Sequence, residues 1–170
     1  MKKLLVIFVA ALALSCGDNK KKDETTTRPI GTDRVEDTTP VATDDAVANL
    51  SIEGNDQMQF NKKELRVKAG QKVRLTLKHV GKMEKNVMGH NWVLLTQGTD
   101  IMEFGQAANT AEESDYIPKD RENQVIAHTR MLGGGESDTI EFDAPAPGTY
   151  DFICSFPGHV ALMKGKFIVE

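Results

Sequence analysis

The chain has 170 residues, with 21 Lys+Arg against 25 Asp+Glu, a formal charge of −4 and two cysteines. This mildly acidic balance, with no basic stripe interleaved with aromatics, argues against a nucleic-acid partner. Beyond a short N-terminal apolar run, no segment is long and apolar enough to cross a bilayer.

Lys2 and Lys3 precede the apolar run Leu4 to Leu14, which ends at Ser15 and Cys16. A positive start, a short apolar stretch and a small residue form a secretory signal over residues 1–15, too short for a spanning helix. Ser15-Cys16 resembles a bacterial lipobox, although Ala13 stands where Leu is usual and Leu12 lies one place away. The resemblance implies cleavage before Cys16 and a lipid on its sulfur. The alternative is an ordinary cleaved signal with an accidental cysteine. Polar and charged residues begin at once after Cys16, which favours the lipoprotein reading. Residues 16–48 are rich in Thr, Asp and Lys, contain Pro29 and Pro40, and lack apolar periodicity. They read as a disordered tether. At roughly thirty residues, its r.m.s. reach is about 30 Å.

Residues 49–170 form one domain, long enough to bury a substantial core. It carries 14 Lys+Arg against 17 Asp+Glu. Glu64 to Ala69 and Lys72 to His79 alternate apolar and polar side chains, as half-buried strands do, around the turn Ala69-Gly70-Gln71. Trp92 to Thr96, Gln124 to Thr129, Ser137 to Phe142, Thr149 to Ile153 and Gly165 to Val169 are further strand candidates. Gly133-Gly134-Gly135 and Pro145 to Gly148 punctuate them. Many short strands with frequent turns predict a β-sandwich or barrel. Gly98 to Asp115 departs from the pattern and predicts a helical flap, weakened by Gly105.

If Cys16 is lipidated, Cys154 has no cysteine to pair with in an oxidising compartment, and metal ligation gives such a thiol a purpose. The segment Cys154-Ser-Phe-Pro-Gly-His159-Val-Ala-Leu-Met163 supplies a thiolate, an imidazole and a thioether from one loop. Upstream, Gly89-His90-Asn91 offers a second imidazole. Two His, one Cys and a distant Met are the donor set of a blue-copper site: thiolate and thioether suit Cu(I), and imidazole suits both oxidation states. Taken singly, a Met is more often core than ligand, and a His more often a satisfied surface or core residue. The joint spacing favours copper. Structural zinc usually draws more than one Cys and rarely Met, and Pro157-Gly158 shapes the loop for a metal better than for a Cys–His nucleophile.

Gly54 to Phe60, Asn86 to Leu94, Val125 to Thr129 and Cys154 to Gly165 together resemble azurin, in the right order across the whole domain. The resemblance implies an all-β, eight-stranded Greek-key β-sandwich of cupredoxin type with one helical flap and one type 1 copper. It makes His90, Cys154 and His159 the strong ligands, Met163 the long axial ligand, and the Gly89 backbone carbonyl the opposite approach. Asn91 would brace the ligand loop, Phe156 would pack over the site, and backbone N–H groups aimed at the Cys154 sulfur would tune its potential. His159 would be the electron port, within an apolar patch of Met58, Met83, Val87, Met88, Phe156, Pro157 and Ala161; some of these, Val87 above all, also suit the core. His79 is expected to be partly buried, its protonation weakly coupled to the copper's charge; His128 is expected to be solvated and Trp92 to be a core indole.

The expected function is single-electron transfer, without catalysis, on the periplasmic side of the inner or outer membrane. Redox proteins such as c-type cytochromes or membrane oxidoreductases would be the partners, reached through the lipid anchor. Ala48 and Gly70 occupy the positions of the disulfide usual in azurins, so the sandwich must hold without that staple. Copper delivery is the first alternative, opposed by a ligand loop embedded between strands. A copper enzyme is the second, opposed because only His79 and His128 remain and they sit singly. A binuclear copper centre would need two cysteines in one loop.

Overall fold

The computed structural model describes residues 46–170. Its strands are β1 (Val47–Asn55), β2 (Gln59–Phe60), β3 (Glu64–Val67), β4 (Lys72–His79), β5 (Val93–Leu95), β6 (Val125–His128), β7 (Ser137–Asp143), β8 (Gly148–Ile153) and β9 (Lys164–Val169), with helices α1 (Lys85–Met88) and α2 (Ile101–Ala108). One sheet has the order β2-β1-β4-β7 and the other β3-β9-β8-β5-β6. β1 lies parallel to β4, and β3 parallel to β9. The two sheets stay open and pack as a sandwich rather than closing into a barrel. Eight strands have three residues or more, as the resemblance implied; the two-residue β2 is a short arm folded back on β1.

Alternation explains the packing. In β4, Val73, Leu75, Leu77 and His79 point inward and are buried, while Lys72 and Arg74 face outward toward Asp143 and Glu141 of β7. Those ion pairs are exposed and add little to stability. Inside, Trp92 lies 5.7 Å from Phe152 and 6.1 Å from Phe167, centroid to centroid, within a core that includes Ile52, Leu75 and Leu77. Trp92 is the expected core indole. Its buried N–H finds no acceptor among the described residues, a desolvation cost offset by the burial of the ring.

One boundary differs from the sequence reading. β1 begins at Val47, two residues before Asn49, because Val47 and Ala48 pair with Lys72 and Val73. The strand extends into the polar zone since the parallel ladder satisfies its backbone there. The signal segment 1–15, Cys16 and the rest of the tether up to residue 45 lie outside the described residues.

The flap predicted over Gly98 to Asp115 contains α2, capped by the Asp100 carboxylate, which accepts from the N–H groups of Met102 and Glu103. A 3-10 turn at Glu112–Ser114 follows. Gly105, a weak helix former, has a packing reason to be there. A Cβ at that position would lie 2.7 Å from Val160 Cγ1, so its absence lets α2 seat directly on the segment after Cys154.

The ladders also decide where the chemistry lies. β5 and β8 run antiparallel with Val93 opposite Ile153, so His90, just before β5, and Cys154, just after β8, emerge at the same end of the sandwich. β1 and β4 bring Gly54 and His79 together at that end as well.

Candidate metal centre

His90 enters on a backbone bridge with Leu132, its N–H donating to Leu132 O at 3.0 Å and its carbonyl accepting in return at 2.8 Å. The ring is held from its far side, where Nε2 donates to Asn55 O at 2.8 Å. That bond puts the proton on Nε2 and leaves the Nδ1 lone pair free to bind a metal. Gly54 makes room for the ring: a Cβ there would lie 2.7 Å from His90 Cδ2 and 3.3 Å from Met163 Cε.

The Cys154–Met163 loop is closed by its own backbone. Cys154 N–H donates to Met163 O at 2.9 Å, and Met163 N–H to His159 O at 2.8 Å. Gly158 takes φ 80°, the left-handed turn that lets the chain reverse into the single 3-10 turn His159–Ala161. The result brings three donor atoms together. Cys154 Sγ is 3.6 Å from His159 Nδ1 and 4.0 Å from His90 Nδ1. These ligand atoms all lie within 4.8 Å of one another, and all three residues are buried. Gly89 O is 3.8 Å from the sulfur. Met163 is fully buried in the same apolar cluster as Cys154 and Phe156.

Burial governs the electrostatics. It pushes the Cys154 thiol up to about 12, opposed by the backbone N–H groups of Asn91 and Phe156, which point at the sulfur and favour thiolate. Burial first, then the neighbouring His90 and His79, push His159 down to about 4. Burial also lowers His90. At neutral pH the metal-free site therefore holds two neutral imidazoles and a protonated thiol. A cation beside the sulfur reverses the balance and stabilises the thiolate.

Asn91 braces the loop as expected. Its Oδ1 accepts from Ser155 N–H at 2.8 Å, and its Nδ2 donates to Ser155 Oγ at 2.8 Å and to Asp115 O at 3.0 Å. Phe156 lies over the site, its ring 4.7 Å from that of His159. His79 is buried rather than partly exposed, and stacks on His90 at 4.2 Å with the rings 20° apart. Its Nε2 donates to Met88 O at 2.7 Å and its Nδ1 accepts from Gly81 N–H at 3.1 Å, so neither nitrogen is left for a metal. His128 lies exposed on β6, outside the cluster.

The residues expected in the apolar patch differ in exposure. Val87, which suited the core, is 58% exposed, and Met83 is 44% exposed. Met58, Met88 and Pro157 are half-buried, Ala161 is exposed and Phe156 is buried. His159 is only 3% exposed. Leu162, 54% exposed, is a further apolar side chain close to His159 in the chain that the sequence reading left out, as it did Asn55, Ser155, Asp115 and the room made by Gly54. Only the run of apolar residues after His159 hinted at Leu162. Backbone acceptors such as Asn55 O leave no signal in side-chain identity.

Two packed sheets with a buried His, Cys, His group at the strand ends define a cupredoxin. The sequence comparison makes the family specific: the model of copper-binding proteins of the plastocyanin/azurin family matches residues 46–170, and the chain belongs to that family. Azurin-1 of Alcaligenes xylosoxydans xylosoxydans is 48% identical over 126 residues, covering 71% of this chain and 95% of its own. The azurin of Bordetella pertussis is 46% identical over 124 residues, covering 71% and 82%. Among solved structures, auracyanin from Roseiflexus castenholzii superposes with a TM-score of 0.64 at 38% identity, covering 72% of this chain and 96% of that one. Auracyanin A, a "blue" copper protein from Chloroflexus aurantiacus, gives a TM-score of 0.67 at 33% identity, covering 73% and 99%.

The donor set fits the metal: one soft sulfur and two imidazoles whose Nδ1 atoms face it, that of His90 with its lone pair free, suit a single type 1 copper ion in a buried cluster. Proton bookkeeping gives a test. Because the imidazoles are already neutral and the thiol still carries its proton, binding one copper ion near neutral pH releases about one proton, and affinity rises about tenfold per pH unit. Calorimetry in two buffers of different ionisation enthalpy measures this directly. Release of no proton would show that the metal avoids the sulfur.

Proposed function

We propose that this protein carries single electrons on the periplasmic side of a bacterial membrane, passing them between redox proteins such as c-type cytochromes or membrane oxidoreductases. The observation that carries the reading is the convergence of His90 Nδ1, Cys154 Sγ and His159 Nδ1 in one buried site at the end of a sandwich. His90, Cys154 and His159 would hold the ion strongly, with the Met163 thioether and the Gly89 carbonyl as weaker donors. The bound copper supplies one-electron cycling between Cu(II) and Cu(I).

The chain's own residues do the rest. Asn55 O fixes the His90 tautomer, and Asn91 ties Ser155 to the segment that carries His90 into β5. The loop is hydrogen-bonded at both ends, so the donors keep their places when the ion's charge changes. Phe156 and Met163 exclude water from the sulfur. Leu162, Met83 and Val87 expose apolar side chains, which we take to form, with the residues around His159, a surface of the kind that favours brief contact over tight binding. The buried, closed cage opposes rapid metal exchange and so disfavours copper delivery. His79 spends both ring nitrogens on the backbone, which disfavours a second copper and hence catalysis at the site.

Membrane attachment is proposed through a lipid on Cys16, supported by the apolar run and small residue before it. Among the described residues, no helix is long and apolar enough to cross a membrane.

Adding Cu(II) is expected to give an intense blue absorption band that bleaches on reduction and returns on oxidation. Cys154→Ser abolishes it. A colourless protein that still binds copper would overturn the electron-carrier reading and favour delivery. In cell fractionation, the parent chain is expected in the membrane fraction and Cys16→Ser in the soluble one. A parent chain found wholly soluble would contradict the anchor.

A further inference from the structure

Two successive non-glycine residues in the flap take left-handed backbone: Asp115 at φ 52° and Tyr116 at φ 61°. Aspartate visits this region readily, but a bulky tyrosine does so only when its surroundings hold it there. The surroundings are specific. Asp115 N–H donates to Glu112 O at 3.1 Å and Tyr116 N–H to Ala111 O at 2.8 Å, closing the turn from within the flap. Outward from the turn, two contacts reach the ligand loop. Asp115 O accepts from Asn91 Nδ2 at 3.0 Å. The Tyr116 ring meets Phe156 edge-on at 5.2 Å.

Both contacts continue toward the donor atoms by separate routes. Asn91, fully buried, passes the first to Ser155 through two 2.8 Å hydrogen bonds, immediately beside Cys154. Phe156 passes the second to the His159 ring at 4.7 Å. The N–H groups of Asn91 and Phe156 are also the two directed at the Cys154 sulfur. Every residue that the turn touches on this side therefore bears on the sulfur's hydrogen bonding or on the second imidazole. The Tyr116 hydroxyl makes no hydrogen bond among the described residues, so the ring rather than the oxygen carries the contact.

We infer that the Asp115–Tyr116 turn is a positioning latch: a strained turn in the flap, held by Asn91 and Phe156, that in return fixes how closely residues 155–159 close over Cys154. Its effect on the potential rests on the blue-copper reading, whereas its effect on the metal-free loop does not. Tyr116 and Asp115 touch no donor atom themselves and act only through Asn91 and Phe156.

The test uses the full chain, with and without copper, in four variants. Tyr116→Phe keeps the edge contact, Tyr116→Leu keeps bulk without the flat edge, and Tyr116→Ala removes both. Leu65→Ala, in the core at β3 opposite Phe167 of β9, lowers stability at a position that makes none of the hydrogen bonds or ring contacts of the turn. In metal-free protein, amide hydrogen exchange at Ser155 is expected to speed up in Tyr116→Ala, to a lesser degree in Tyr116→Leu, and to match the parent in Tyr116→Phe. With copper, Tyr116→Ala is expected to shift the reduction potential and the blue band, and to weaken copper affinity about tenfold, as loss of an outer support does. Leu65→Ala leaves all of these at parental values. The latch is overturned if Tyr116→Ala and Tyr116→Leu leave Ser155 exchange and the potential unchanged, or if Leu65→Ala changes them equally. A parent without a blue band would count against the electron-carrier reading, while Ser155 exchange would still decide the latch.

Discussion

A thiolate inside a protein needs a positive charge beside it. Cys154 is fully buried, its thiol raised to about 12 by that burial, and the donor atoms measured beside it among the described residues belong to two neutral imidazoles and a carbonyl, with the uncharged Met163 buried in the same cluster. Two backbone N–H groups lean toward the sulfur without being enough to ionise it. The site is thus built around a charge that the protein alone does not supply. Bound copper would supply it, and the thiolate would hold an ion that brings its own one-electron chemistry to the site.

That requirement orders the rest of the molecule. The donors must be correctly placed before the ion arrives and must stay in place when its charge changes. Strand pairing does the coarse work, putting the ends of β1, β4, β5 and β8 at one pole. Hydrogen bonds do the fine work. Asn55 O orients His90, Met163 O and His159 O close the loop, and Asn91 ties the loop to both the flap and the strand that follows His90. Glycine at 54 and at 105 lets rings and helices approach where a methyl group would intrude. A helix that seemed a decoration on a β-protein becomes part of the support of the metal loop.

Much of this was legible in the residues, for a physical reason in each case. β4 showed because its two faces see different solvents, giving strict alternation over eight residues. The ligand loop showed because few metals use Cys, His and Met together. β1 did not show as a strand: Ala48, Asn49 and Ser51 blur its alternation, and its N-terminal end runs into the polar zone. α1 has four residues, too few for a helical period to register. Val87 was ambiguous because an exposed valine in a docking surface and a buried one in a core look alike in sequence. The stacking of His79 on His90 and the Asp115–Tyr116 turn depend on contacts between residues far apart in the chain, which composition and spacing do not encode.

The claim that the fold holds the donor set ready is most directly tested by crystal structures of the metal-free, Cu(II) and Cu(I) forms of this chain. The account predicts that the His90 and His159 rings, the Cys154 sulfur and the Asn91–Ser155 hydrogen bonds superpose across all three, with the ion seated between the two Nδ1 atoms and the sulfur. A His159 ring that swings out of the loop on reduction, or an ion bound away from Cys154, would contradict it.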